Sequence, residues 1–324
     1  MDMGNGKKAR EVVLIPTFQR NAYLHCALRR IRGQDGDVPI FVFSDRGEDN
    51  PELHKVTEEF EAQLRIVPVH DYFGNSFCVM EAFRWAVDSG YDLIHLSEDD
   101  VMQHSDCLAW HREIHEELPD IFASCGWIFN HHAPIIADVM FANWYYSPNA
   151  CFKREKLAKV AKHANPLYYN AMWEYAVKAF PNSILHRRDG GNIFDTSFYE
   201  QDAIVQFCLM EDKSQVAWCG ISKVDHIGTS GYNKMNGLRF YGTLEEQIRQ
   251  IESFIADPYA RIEAFGRPIV ERELGREVPK RIRRYRITLP GGWVSEFESE
   301  LSLGRLPRRI NSTPVTSEAK IMLL

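Results

Sequence analysis

Two hydrophobic rhythms alternate over the first hundred residues. Short apolar, β-rich runs occur at Glu11–Ile15, Val38–Phe43, Leu64–Val69 and in the segment that opens at Tyr91. Between them, apolar residues recur at helical spacing. Leu24, Ala27, Leu28 and Ile31 mark one helix, and Phe77, Met80, Phe83 and Val87 mark another, which Gly90 ends. The charged stretch Pro51–Gln63 is helix-compatible, and Pro16 is expected to stop the first strand. This β-α-β-α-β-α-β order predicts a mostly parallel sheet with helices on both faces. Further on, helical patterns cover 105–118 (capped by Ser105), 153–164, 167–180, 199–210 and 243–255, with a strand over 215–218. The aromatic-rich stretch 121–150 has no clear period. After about Pro279 the chain is basic, then Gly/Pro/Ser/Thr-containing, and no element is assigned to its end.

Composition narrows the class. The 324 residues leave room for one large or two small domains, and 45% hydrophobic with 26% charged residues is a globular balance. Mean hydropathy is -0.33, and no apolar run has bilayer length. The polar stretch Met1–Arg10 has no signal-peptide core, so the expectation is a cytoplasmic protein without a membrane anchor. Seven scattered cysteines, an odd number with no CxxC spacing, read as reduced buried residues rather than zinc ligands. A net charge of -7 argues against a surface that grips nucleic acid as a whole. A local basic run (Arg276, Lys280, Arg281, Arg283, Arg284 and Arg286, with Tyr285) keeps nucleic acid open as a partner. Its ordinary alternative is a solvated basic tail.

The sharpest chemical signal is the end of the fourth apolar run, Glu98-Asp99-Asp100. Carboxylates beside a core cost several kcal/mol each to desolvate, on the order estimated for buried ions, and a cation among them offsets that cost. Oxygen ligands of this kind suit Mg²⁺ or Mn²⁺, which also share a substrate's phosphates. The alternative is a solvated acidic turn. In parallel sheets ligands bind at the carboxyl ends of the strands. Three polar clusters fall there: Thr17–Asn21, Ser44–Gly47 and Glu98–Asp100.

Over residues 10–230 the chain resembles the GT-A glycosyltransferases. The resemblance rests on Val13-Leu14-Ile15-Pro16-Thr17-Phe18-Gln19-Arg20, on Ser44-Asp45, on the acidic triplet and on Glu200-Gln201-Asp202. The stretch from Phe83-Arg84-Trp85-Ala86 to the triplet is similar to the N-acetylglucosaminyltransferase I branch, whose DXD-type motif is also spelled EDD. The resemblance implies a GT-A fold, a Rossmann-like mostly parallel sheet flanked by helices, over 8–240; the remainder, 241–324, reads from its own pattern as a helical, basic extension. It implies transfer of a sugar from a nucleotide-sugar, a UDP-sugar favoured, to a hydroxyl acceptor, with Mn²⁺ or Mg²⁺ and with inversion at the anomeric carbon as the expected course.

Residue roles follow from the same resemblance. Asp100 would hold the metal, and His226 would be its late ligand, in the order Asp100, Asp202, His226. Glu98 and Asp99 would face ribose or donor-sugar hydroxyls. Asp45 would meet the nucleobase, although Asp-x-Gly is also ordinary turn chemistry. Pro16, Thr17 and Arg20 would line the nucleotide site, with Arg20 either on the diphosphate or on a helix-surface acid. Asn75 and Ser76 open a helix near the nucleotide and are also favoured helix caps. Asp202 is the expected base and Glu200 its alternate, while acids in a first helical turn are common without catalysis. Gly228 and Gly231 would let backbone N–H groups approach phosphate. Asn143–Asn149 is either a sugar platform or a core strand, and His131-His132 reads as structural.

Three rivals remain. A nucleotidyltransferase would want a Gly-rich loop after the first strand, which Pro16–Asn21 is not. A non-catalytic sugar- or nucleic-acid-binding protein on the same scaffold would not need the intact acids. A glycosyltransferase acting on a modified nucleic-acid base is an open alternative for the acceptor.

Overall fold

The computed structural model describes residues 9–35, 37–71, 75–127, 139–145, 147–163, 201–228, 240–288 and 294–299, with short strands at 309–310, 313–314 and 320–323. The expected alternation opens the chain: β1 (Glu11–Thr17), α1 (Asn21–Gln34), β2 (Ile40–Ser44), α2 (Pro51–Glu59), β3 (Gln63–Ile66), α3 (Ser76–Asp88) and β4 (Leu93–Ser97). There follow β5 (Val101–Gln103), α4 (Cys107–Glu117), β6 (Ala123–Cys125), β7 (Val139–Ala142), β8 (Asn149–Lys153), α5 (Arg154–Ala161), α6 (Gln201–Asp212), β9 (Val216–Cys219) and β10 (Val224–His226). The described chain closes with α7 (Leu244–Ala256), α8 (Pro258–Phe265), α9 (Arg267–Leu274), β11 (Arg283–Thr288) and β12 (Val294–Ser299). The helix expected over 167–180 lies outside the described residues.

One sheet organises the molecule, in the order β3-β2-β1-β4-β8-β6-β9-β7. Strands β3, β2, β1 and β4 run parallel, β8 enters antiparallel, β6 and β9 are parallel, and β7 closes the edge antiparallel. This is the α/β class expected, with helices on both faces. Alternation along each strand sends successive side chains to opposite faces. Val12, Leu14, Phe41, Phe43, Ile94 and Leu96 share a core with α3, α5 and α6. Val13, Ile15, Ile40 and Val42 pack instead on Leu24, Leu28 and Ile31 of α1 and Leu53 and Val56 of α2.

Two boundary expectations need correction. Pro16 does not stop β1, which runs on to Thr17. Val13 N–H donates to Pro39 at 2.9 Å, so in this parallel ladder the odd positions address β2 and Pro16 addresses β4. Pairing with β4 ends at Leu14↔Leu96, so the missing N–H of proline breaks no ladder bond. Helix α4 starts at Cys107 rather than at a Ser105 cap, and Asp106 precedes it without a side-chain capping bond. Gly90, with φ +75°, follows α3 as expected, since the left-handed region suits glycine.

The residues after 240 divide into two parts. Ile251 and Phe254 of α7 join a third core with Tyr23, Cys26 and Ala27 of α1, Met102 of β5 and Ile227. Burying each such side chain is worth about 1.5–3 kcal/mol, so these helices are bound to the sheet through α1. Within the basic run, Arg283, Arg284 and Arg286 lie in β11, which pairs antiparallel with β12 and with Lys320–Leu323. Arg284 lies opposite Glu298 and Arg286 opposite Glu296 in that register. The Arg286 guanidinium donates to Glu296 Oε1 at 2.7 and 3.0 Å.

All seven cysteines are reduced and buried, as expected. Among the described residues no helix is long and apolar enough to cross a membrane.

Helix α4 buries two histidines against the sheet. His111 contacts Ser124 Oγ through Nδ1 at 2.6 Å and Asn149 Oδ1 through Nε2 at 3.0 Å. His115 Nε2 donates to the Cys151 carbonyl at 3.0 Å. Burial pushes the His111 pKa well down and that of His115 down to about 4. As pH falls from about 6.5 towards about 4, the unfolded chain takes up a proton that folded His115 refuses. Stability therefore falls through that window and levels off below it, by on the order of 3 kcal/mol from this residue. Urea unfolding at pH 7, 5.5 and 4 should show a shallower loss in His115→Gln than in the wild type. Parallel losses in the two proteins would sink this account.

Candidate active site

The acidic triplet is the turn between β4 and β5. Glu98 C=O accepts from Val101 N–H at 3.1 Å, which closes the turn, and Glu98 N–H donates to Pro148 at 2.9 Å. Strand β5 then pairs antiparallel with β10, with Val101 opposite His226. Ile227 N–H donates to the Asp100 carbonyl at 3.0 Å. This two-stranded ladder brings His226 beside an acid far from it in sequence. One ligand atom each from Glu98, Asp100 and His226 lies within 4.8 Å of the others. His226 Nε2 is 3.4 Å from Asp100 Oδ1. Glu98, expected to face hydroxyl groups, thus also lies within reach of a cation held by Asp100 and His226.

The cluster carries its own counter-charges. Arg20 leaves the end of β1 and reaches the triplet: its guanidinium is 3.1 Å from Asp99 Oδ1 and also bonds Asp100 Oδ2. Of the two roles open to Arg20 in sequence, the one on a helix-surface acid is therefore replaced by a pairing with the triplet itself. Thr17 Oγ1 donates to Asp99 Oδ2 at 2.7 Å, and Asn75 Nδ2 to Glu98 Oε1 at 3.3 Å. Asp99 and Asp100 are 2% and 4% exposed, so the balance of charge decides their state. Burial, then Asp100, pushes Glu98 up to about 8. Burial raises Asp99 to about 6 against the pull of Arg20. Burial also acts on Asp100, but Arg20 and then His226 outweigh it and hold its pKa below the ordinary carboxylate range. His226 is raised, because Asp100 and Glu98 together overcome its burial.

The residues present suit a hard divalent cation. Two carboxylates and an imidazole converge, and Asp100 Oδ1 is buried without a hydrogen-bond partner. Gly228 explains why the loop can close here. A Cβ at this position would overlap the Asp100 carboxylate and lie 2.8 Å from His226 Nε2.

The other expected residues fall into place unevenly. Asp45 is buried at the end of β2, with Oδ1 2.7 Å from His70 Nε2. His70 in turn packs on Phe77, with ring centroids 4.4 Å apart. Asp202 is in the first turn of α6 and acts electrostatically on Glu98 and Tyr145. The start of α6 is tied to that of α3 by a Ser76–Gln201 hydrogen bond. Pro16 gives its backbone to the sheet opposite Phe43, and it is Thr17, one residue on, that reaches the acids. In the Asn143–Asn149 stretch Asn143 is exposed, Tyr145 is 4% exposed, Trp144 lies against Trp218 with ring centroids 4.5 Å apart, and among the described residues only Asn149 is in a strand. Glu200, Gly231 and His131-His132 lie outside the described residues.

Sequence reasoning missed the polar groups behind His226. Asp225 is visible beside it, but Arg261 and Glu273 sit on helices whose amphipathic patterns carry no hint of a site.

No family model matches the chain, and no curated protein matches it. Solved structures do match. The mannosyltransferase PcManGT from Pyrobaculum calidifontis, in complex with GDP-Man and Mn²⁺, is 12% identical with a TM-score of 0.39, over 79% of this chain and 72% of that one. S. aureus TarS 1–349 is 9% identical with a TM-score of 0.42, over 82% and 72%. Glucosyl-3-phosphoglycerate synthase from Mycobacterium tuberculosis, in complex with Mn²⁺, UDP-glucose and phosphoglyceric acid, is 11% identical with a TM-score of 0.34. That match covers 46% of this chain and 57% of the other. These are partial likenesses of an α/β fold, and the chemistry rests on the site itself.

Gly228→Ala tests the cluster directly. It should leave the fold intact and weaken Mn²⁺ binding at least about ten-fold, because the added methyl displaces the Asp100 carboxylate. Free Mn²⁺ followed by electron paramagnetic resonance gives the comparison. Equal affinity in the two proteins would remove Asp100 and His226 from a common cation site.

Proposed function

We propose that the protein is a metal-dependent glycosyltransferase of the GT-A type. It moves a sugar from a nucleotide-sugar, a UDP-sugar favoured, to a hydroxyl acceptor with inversion. The observation that carries this reading is the convergence of Glu98, Asp100 and His226 at the carboxyl rim of a parallel sheet, within electrostatic reach of Asp202. A rim of this kind is where α/β sheets bind nucleotides.

Each residue has a task in that reaction. Asp100 and His226, with Glu98, hold Mn²⁺ or Mg²⁺, which when bound supplies positive charge against the diphosphate leaving group. Arg20, already seated on Asp99 and Asp100, offers a second positive group to the diphosphate. Asp99 is held by Thr17 and Arg20 and faces donor hydroxyls. Asp45 and its partner His70 meet the nucleobase, and Asn75 lies at the start of α3 on the nucleotide side. Asp202 takes the proton of the attacking hydroxyl, with Glu200 as the alternate base.

A polynucleotide is not favoured by the basic run, because Arg286 in β11 is ion-paired with Glu296 of the next strand. Paired charges of this kind leave little net field for a phosphate backbone.

Two variants separate the roles. Asp100→Ala should abolish both transfer and Mn²⁺-dependent nucleotide binding, and full wild-type activity in EDTA would contradict the metal's part. Asp202→Asn should lower kcat by orders of magnitude with donor affinity nearly unchanged. A screen of nucleotide-sugar hydrolysis with Mn²⁺ finds the donor on which both are measured. A loss confined to donor Kd would move Asp202 into the donor site.

A further inference from the structure

Behind the strand that carries His226 is a buried charged cluster with no part in the proposed reaction. Arg261 of α8 is 1% exposed, the largest fully buried side chain among the described residues. Its Nη2 donates to Asp225 Oδ1 at 2.7 Å and to Glu273 Oε2 at 2.5 Å. Glu273, on α9, is 2% exposed, and its other oxygen accepts from the His226 backbone N–H at 3.5 Å. His104 also contacts Asp225 Oδ1, at 3.2 Å.

This arrangement is costly if stability is its only purpose, since hydrophobic groups of similar volume usually serve a core as well or better than a buried ion triad. What it does locally is specific. Strand β10 has three residues and pairs with the three residues of β5. Two strands of that length do not hold a position by themselves. Side chains alternate along a strand, so His226 faces the acids while Asp225 faces Arg261. A pull on Asp225 therefore fixes the backbone that aims the imidazole, and Glu273 holds the His226 N–H from the same side.

We propose that Arg261 is a positioning residue for the cation cluster, acting through Asp225 and Glu273 so that α8 and α9 complete the site. This rests on the reading of Glu98, Asp100 and His226 as a cation site. Charge alone would act in the opposite direction. Removing Arg261 leaves two acids less compensated near the cluster, which by itself would draw a cation more tightly. Loss of positioning weakens binding instead.

The test is Mn²⁺ titration of the full chain without nucleotide, by electron paramagnetic resonance, with thermal unfolding recorded alongside. The variants are Arg261→Met, Arg261→Lys and the double variant Arg261→Met/Glu273→Leu, which removes a buried pair together and protects folding. The expected result is a ten- to hundred-fold loss of Mn²⁺ affinity in Arg261→Met and in the double variant, with part of it restored in Arg261→Lys. Wild-type or tighter affinity in folded variants, whatever their melting temperatures, overturns the positioning role and leaves the cation site standing. A wild-type protein that binds no Mn²⁺ overturns the site and this proposal together.

Discussion

Three adjacent carboxylates at the end of a buried strand set the terms for the rest of this molecule. Asp99 and Asp100 are nearly inaccessible to water, so their charges cannot be left to solvent. The fold answers with Arg20 from the next strand, Thr17 beside it and His226 from a distant loop. The compensation is unequal. Asp100, between Arg20 and His226, stays ionised, while Glu98 is pushed towards the neutral form. Such separation of neighbouring carboxylates by their surroundings is typical of functional sites. A divalent cation would reverse the pressure on Glu98, because a local charge of +2 favours the ionised form.

Sheet topology makes this economical. Because β1, β2 and β4 are parallel neighbours, their carboxyl ends lie side by side, and each contributes a polar turn to the same rim. Strand β5 extends the rim and borrows β10 to deliver His226. The close approach of that loop depends on Gly228, where any side chain would strike Asp100. Helix α6 brings Asp202 near enough to act electrostatically on Glu98.

The helices after residue 240 belong to this arrangement. They share a core with α1, whose preceding residue is Arg20, and with Ile227, next to His226. The same helices supply Arg261 and Glu273 behind β10. Both counter-charges of the acidic turn are thus backed by one packed unit. The basic strand β11 contrasts with it, since its ion pair to Glu296 is solvent-exposed and worth little to stability.

The sequence alone determined the alternating elements, the rim and the leading members of the cluster. Period and punctuation are local, so β1 to β4 and α1 to α3 could be read from spacing, and the parallel order placed Thr17, Arg20, Asp45 and the triplet at one edge. Local signals failed where a neighbour decided the outcome. Pro16 sits inside β1 because the ladder to β4 has already ended beside it. Arg283 to Arg286 of the basic run became a strand because the acid-bearing segment Val294–Ser299 that follows pairs with it. Glu98 joined Asp100 and His226 because the β5–β10 pairing turns that loop inward. Arg261 is an ordinary surface-like residue in an amphipathic helix until packing buries it against Asp225 and Glu273. Charge compensation acts through space, and only the tertiary structure says which charges are close enough to compensate each other.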